Sequence, residues 1–313
     1  MAGRVSGVPC ARPSRHAWNR PSTPYPADRR RVARPAILSP VSTVEAIVLG
    51  IVQGLTEFLP ISSSGHLRIV PALFGWDDPG AAFTAVVQLG TMAAVLLYFR
   101  RDLWSIGLIW TRSLFDPALR SAPQARIGWY LVIATVPISI LGLAFADQIE
   151  TGARDLRLIA TALIVFGLVL ALSDGVGRKA KKIDDLTVRD GVLIGLAQAL
   201  ALIPGVSRSG ATITAGLLAG YTRTDAARFS FLLSVPAVVL SGLYQLGDIS
   251  TGDGPGVAAT AVATLAAFVV GYLSIAWMLR WLTRHTTAVF VIYRVALGGL
   301  VWSLLVGGAL EPI

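Results

Sequence analysis

GIVQGLTEFLPISSSGHL, residues 50–67, sets Gln53 and Glu57 one helical turn apart, breaks at Pro60, runs through Ser62, Ser63 and Ser64, and ends on His66 and Leu67. Apolar sequence flanks it on both sides. A carboxylate at the centre of a bilayer costs on the order of 3 kcal/mol even on the mildest insertion scale, so polar groups held there usually mark a site. The chain then repeats the stretch. Shifted by 145 residues it falls on GLAQALALIPGVSRSGAT, where six of the sixteen positions from Gly50 to Gly65 are identical: Gly50 with Gly195, Gln53 with Gln198, Leu55 with Leu200, Ser62 with Ser207, Ser64 with Ser209 and Gly65 with Gly210. The copies differ where chemistry would differ. Glu57 faces Leu202, Ser63 faces Arg208 and His66 faces Ala211. The pattern reads as one duplicated scaffold with specialised halves, one supplying acid, hydroxyl and imidazole, the other a cation.

Composition agrees with a membrane setting. Of the 313 residues 54% are hydrophobic and only 14% charged, and the mean hydropathy is +0.66, outside the soluble range. A net charge of +9 invites a nucleic-acid reading, but eight of the 27 basic residues are arginines in the first 42 residues and most others lie in short loops between apolar runs. That distribution is topological, so no nucleic acid is expected as a partner. Cys10 is the only cysteine, which excludes an internal disulfide framework or a cysteine metal cluster.

Residues 1–42 are rich in Arg, Pro and Ser, without apolar periodicity and without the apolar core of a signal peptide. They read as a disordered basic tail or an upstream-annotated start. A single membrane domain, 43–313, is expected after it. Residues 43–59 have helical period, with Ala46, Gly50, Gln53 and Glu57 along one face, and a short apolar piece, 67–74, follows the polar break. Two short helices around such a break describe a re-entrant hairpin, tolerated where the irregular backbone is buried or lines a cavity. One long kinked span is the alternative.

Runs at 81–99, 127–146 and 158–173 are long enough to cross a bilayer of about 30 Å. A second hairpin occupies 188–220, followed by runs at 229–247, 256–279 and 286–310. FTAVVQLGTMAAVLLY from Phe83 echoes FSFLLSVPAVVLSGLY from Phe229. The expected fold is therefore all-α and integral to the membrane. Two repeats, about 43–173 and 188–310, each hold one hairpin and three spans, and the odd number of crossings inverts the second copy.

Lysine and arginine counts orient the chain. Loops around 100–126, 174–190, 221–228 and 280–285 share one side and carry fourteen basic residues, against Arg68, Arg154 and Arg157 on the other. The basic side is expected to be cytoplasmic, with the 247–255 loop, including Asp248 and Asp253, facing outward. The arginine-rich tail conflicts with this placement.

The second half-helix of each hairpin begins near Ser64 or Ser209, and helix N-termini favour anions through unpaired N–H groups and the dipole. Two such ends with several hydroxyls and one arginine suit a diphosphate. Arg208 can hold phosphate oxygens as a fork. Glu57 would serve as general base or as a ligand to a hard divalent cation. Ser62 or Ser63 is a candidate nucleophile, and His66 would orient a group or exchange a proton. The structural alternatives are ordinary ones: a serine bonding a backbone carbonyl, Gln88 bonding a neighbouring helix, and Arg294, midway along the last span, snorkelling or meeting an unidentified buried partner.

At these residues the sequence resembles the bacterial undecaprenyl-diphosphate phosphatases, the membrane family linked to bacitracin resistance. Two motifs carry the resemblance: Gln53 to Glu57 followed by FLPISSSGH, and PGVSRSGAT at 204–212. It extends from about Thr43 to the C-terminus. The resemblance implies hydrolysis of undecaprenyl diphosphate to the monophosphate carrier lipid and inorganic phosphate on the outer face of the cell membrane, recycling the carrier for peptidoglycan. By motif position it implies Glu57, Ser63, His66 and Arg208 as catalytic residues, with Gln53, Ser62, Ser64, Ser207, Ser209, Gly210 and Thr212 binding the substrate. A divalent cation, Mg or Ca, is also implied, with Glu57 as its candidate ligand. Gln53 stands at the first acidic position of the pattern, which puts a two-carboxylate mechanism in doubt. Serine and water remain open as the attacking group. A transporter or lipid flippase is the alternative function, and the oligomeric state, a homodimer included, is left open.

Overall fold

The computed structural model describes residues 1–3, 41–145, 155–245 and 256–312. Nearly all of the arginine-rich tail, Arg154, and the acidic loop with Asp248 and Asp253 lie outside the described residues. The chain divides into Met1–Ile37 and Leu38–Ile313, and the second unit, described here by itself, carries the helices.

Helix α1, Thr43–Phe58, starts at a capping box in which the Ser42 hydroxyl accepts from the Glu45 amide and the Glu45 carboxylate accepts from the Ser42 amide. It stops because Leu59 precedes Pro60 and takes an extended conformation, as residues before proline must to avoid the ring. Helix α2, Ser63–Phe74, follows after a four-residue break. The second pair repeats this arrangement. Helix α7, Val188–Ala199, tightens into a 3-10 turn at Leu200–Leu202, and α8 runs Arg208–Leu218. Both breaks fall where the serine runs place them, and each second half-helix starts one residue earlier than the sequence suggests.

Between the pairs lie α3, Gly80–Tyr98, α4, Arg100–Phe115, α5, Pro123–Ala144, and α6, Leu156–Val176. After the second pair come α9, Arg223–Gln245, α10, Val257–Leu282, and α11, Ala288–Val306. No strand occurs among the described residues beyond an isolated bridge between Lys181 and Tyr221. Helices α5, α6, α10 and α11 are each long and apolar enough to cross a membrane, and α3 with α4 passes the same test as a pair bent by 76° at Phe99. Among the described residues, four to five spans are supported by length and composition. Runs 81–99 and 229–247 form helices α3 and α9.

The segment 100–126 is not the loop its charges suggested. Its arginines lie on and around α4, which buries Ile106 and Ser113 and exposes Trp104 and Phe115. Apolar and polar residues alternate there with helical period, and the charges masked it.

Helix α6 holds the centre, packing against α11, α8 and α2. Helix α1 packs on α10 and α7 packs on α5, each at a glycine. A Cβ on Gly50 would stand 2.3 Å from the Ala263 carbonyl oxygen, and one on Gly195 would stand 2.7 Å from the Ala134 Cα. The two glycines align in the sequence repeat, and both serve close helix approach.

Candidate active site

Four residues from the two breaks meet around one carboxylate. Glu57, in the last turn of α1, is 8% exposed. Its Oε2 accepts from Ser63 Oγ at 2.7 Å and from Gln53 Nε2 at 3.0 Å, and its Oε1 pairs with Arg208 Nη2 in a short ion pair. Arg208 crosses from the other break and also donates to the Ser234 carbonyl on α9 at 3.4 Å. Gln53 sits on the face of α1 that Glu57 occupies, as the four-residue spacing requires, and its Nε2 lies 3.5 Å from Thr91 Oγ1 on α3. That amide orientation is fixed by the carboxylate, which needs a donor. Gln53 Oε1 is then left buried without a partner.

The serines separate into two roles. Ser62 and Ser207 are N-caps with left-handed backbone, φ 78° and 73°, and their hydroxyls accept from the amides of Gly65 at 3.3 Å and Gly210 at 3.1 Å. Each cap hydroxyl also contacts the next serine but one, Ser64 at 3.3 Å and Ser209 at 3.1 Å. Ser209 further donates to the Leu59 carbonyl at 2.9 Å, tying the second break to the first. Thr212 lies one turn along α8, where its hydroxyl bonds the Arg208 carbonyl at 2.8 Å and Ser230 at 2.6 Å. Only Ser63, the first residue of α2, reaches the carboxylate.

His66 lies at the first break and turns toward α11. Its Nδ1 lies 2.7 Å from the Ser62 carbonyl oxygen, which can only accept, so Nδ1 carries the proton. Nε2, 2.7 Å from the Tyr293 hydroxyl, therefore accepts from it. The two rings are stacked, with centroids 5.5 Å apart. Both ring nitrogens are thus engaged with groups other than Glu57. Tyr293 was not singled out from the sequence, because a tyrosine in an apolar span carries no spacing signal.

Arg294 does not snorkel, and among the described residues it pairs with no side chain. It is 0% exposed and donates only to backbone carbonyls: Nε to Leu163 at 3.1 Å, Nη1 to Pro60 at 3.0 Å, and Nη2 to Ala162 at 3.3 Å and to Gly205 and Val206, each at 3.0 Å. Gln198, the repeat partner of Gln53, lies outside the cluster and donates to the Ala134 carbonyl at 3.0 Å. Gln88 is half-buried one turn before Thr91, whose hydroxyl donates to its carbonyl.

Among the described residues no group of three or more His, Cys, Asp or Glu side chains is gathered to hold a metal. Glu57, with its carboxylate, and Gln53, with its unpartnered amide oxygen, are the residues that would hold a divalent cation there, a hard ion that takes oxygen ligands.

An all-helical fold with apolar helices long enough to span, and with an acid, a serine and an arginine gathered between two helix breaks, defines a membrane-embedded polar centre suited to a phosphorylated ligand. The chain belongs to the bacitracin resistance protein BacA family, whose model matches residues 46–300. It is 55% identical over 271 residues to the undecaprenyl-diphosphatase of Nocardioides sp. (strain ATCC BAA-499 / JS614), covering 86% of this chain and 99% of that relative. The undecaprenyl-diphosphatase of Thermobifida fusca (strain YX) is 55% identical over 272 residues, covering 87% and 93%. That of Mycolicibacterium gilvum (strain PYR-GCK) is 52% identical over 277 residues, covering 87% and 100%.

Proposed function

We propose that this protein is an undecaprenyl-diphosphatase of the bacterial cell membrane, releasing inorganic phosphate and returning undecaprenyl phosphate to peptidoglycan synthesis, and so conferring bacitracin resistance. One observation carries the reading beyond family membership: Ser63 Oγ–H donates to Glu57 Oε2 while Arg208 pairs with the other oxygen of the same carboxylate. A hydroxyl bonded to a base is the activated form of a serine nucleophile.

The chemistry follows from these contacts. The terminal phosphate competes with Glu57 for Arg208, whose planar fork suits phosphate oxygens. Glu57 is thereby released from its ion pair. It then takes the Ser63 proton as Oγ bonds the terminal phosphorus and the bridging P–O bond breaks, leaving the lipid monophosphate. Glu57 gives that proton up to solvent, takes another from the water that attacks the phosphoserine, and returns it to Ser63 Oγ as the serine P–O bond breaks, releasing free phosphate. Amide groups at the start of α2 and α8 and the arginine neutralise charge on the transferring group. Glu57 and Gln53 would hold a divalent cation, which would supply further charge neutralisation at the diphosphate.

We infer that the two broken pairs are re-entrant hairpins related as an inverted-topology repeat, with α3, α5 and α6 matched to α9, α10 and α11. Support comes from the matched caps at Ser62 and Ser207 and from the exchanged packing, in which α1 sits on α10 at Gly50 and α7 sits on α5 at Gly195. The basic loops favour a cytoplasmic position for 174–190, and the family resemblance favours a site that opens outward. Cysteines near His66 and in 174–190 should label from opposite sides of intact cells. Labelling of both from outside would overturn that topology.

The deciding experiment is phosphate release by the purified protein in detergent from a prenyl diphosphate, with trapping of phosphoserine at Ser63. A carrier gives no phosphate in the absence of a membrane. Release without a trappable phosphoserine, undiminished in Ser63→Ala, would move the attacking role to water.

A further inference from the structure

We propose that Arg294 is a positioning residue that holds the two helix breaks in register, so that Glu57 from one meets Arg208 from the other. The guanidinium is buried among carbonyls of three separate segments: Pro60 in the first break, Gly205 and Val206 in the second, and Ala162 and Leu163 on α6. These are carbonyls that the helical ladder or its interruption leaves pointing inward, and in a membrane interior they have no water to turn to. Arginine is the one side chain whose rigid fork of five N–H donors can serve several at once. The catalytic cluster lies on the helix ends these breaks join. Pro60 is three residues from Glu57 and from Ser63, and Val206 is two residues from Arg208. The left-handed Gly205, φ 88°, turns its carbonyl into the contact. Ser209 Oγ on the Leu59 carbonyl is a second, weaker tie in the same direction. Neighbouring Tyr293 reaches the first break through His66, so α11 addresses that break with two consecutive side chains.

Lysine keeps the charge but has three donors radiating from one point, and it cannot span the same set of carbonyls. Arg294→Lys should therefore fold, yet let the breaks shift relative to each other. Misplacement by about 1 Å can cost about a hundredfold in turnover. A gentler probe comes from α6. A Cβ added at Gly167 would stand 3.2 Å from Arg294 Cβ, so Gly167→Ala presses on the side chain without touching either break.

The experiment has two arms on the full-length protein carrying Cys10→Ser. In the first, spin labels at Phe74→Cys and Leu218→Cys, exposed positions at the far ends of α2 and α8, report the distance between the second half-helices. In the second, kcat and KM are measured on a prenyl diphosphate in detergent. The parent should give one narrow distance. Arg294→Lys should give a broadened or second distance and a kcat about a hundredfold lower, with KM little changed. Gly167→Ala should change both in the same direction but less. A folded Arg294→Lys protein with the parent distance would overturn the proposal, whether kcat is kept or lost, since loss alone would mean that Arg294 acts on substrate. Broadened distances with unchanged kcat would overturn it too. Should the lysine variant not fold, parent values for Gly167→Ala would be the overturning result. The kinetic arm rests on the phosphatase reading. A parent protein that releases no phosphate sinks that reading, while the distance arm still decides the role of Arg294.

Discussion

The two breaks share a backbone and differ in what they present. At Ser62 and Ser207 the chain takes the same left-handed cap, with the hydroxyl on the amide three residues ahead and a second serine beside it. One residue later the copies part: Ser63 turns its hydroxyl to Glu57, whereas Arg208 reaches across to the same carboxylate from the opposite side. Before the break they part again. Helix α1 stays helical through Glu57, while α7 has already tightened into a 3-10 turn by Leu200–Leu202, where Leu202 aligns with Glu57. The matched glutamines follow suit, Gln53 joining the carboxylate and Gln198 a backbone carbonyl. A polar break in a membrane needs its caps in both copies for stability, but the chemistry needs each reactive group only once. What is common to the copies is therefore structural, and what differs is the site.

The sharpest way to break this comparison is to remove the acid that only the first copy has. Glu57→Gln keeps size and loses charge, and phosphate release should fall about 10²- to 10⁴-fold in kcat, as expected for a lost general base. The variant should still fold, because its partners can bond an amide. Normal turnover would return the site to the carrier reading. On the second copy, Arg208→Lys should lose about a hundredfold, close to Arg208→Ala, since one point charge cannot replace a fork addressing phosphate. Near wild-type activity in the lysine variant would reduce Arg208 to a general electrostatic role.

Smaller effects sharpen the division. Tyr293→Phe removes the donor to His66 Nε2, worth about 1 kcal/mol, and should lower kcat about fivefold; a drop as large as that of Glu57→Gln would give His66 a direct chemical part. Gln53→Glu should be tolerated when a divalent cation is supplied, and direct titration of that cation should show tighter binding. Smallest of all, Gln198→Leu should leave turnover at the parent level, because its amide serves only the Ala134 carbonyl. A large loss of activity there, without loss of folding, would mean the second copy carries more of the site than its contacts show.

How much of this was legible in the sequence depended on whether a residue advertised itself against its surroundings. Glu57, Arg208 and the serine runs stood out because charge and hydroxyls are costly in apolar sequence, and the offset repeat marked which of them were common and which were specialised. Residues that look ordinary in their local setting were not visible. Tyr293 is one apolar-compatible residue among many, and Ser230, Ser234 and Thr91 join the site from helices that neighbour it only in space. Helix α4 was hidden for the opposite reason, its arginines resembling a loop.

By itself, then, the sequence determined an all-helical membrane chain, two matched breaks, and the residue types that meet there, since these follow from local hydropathy, proline and cap chemistry. Which serine faces the acid, that His66 turns to Tyr293, and that Arg294 spans both breaks were decided only by tertiary structure. The reason is that a hydrogen bond depends on direction and distance between groups on separate helices, whether six residues apart, as Glu57 and Ser63 are, or 151 apart, as Glu57 and Arg208 are. Local sequence sets where each group sits on its own helix. Only the packing of α6 and α11 between the breaks sets what it faces.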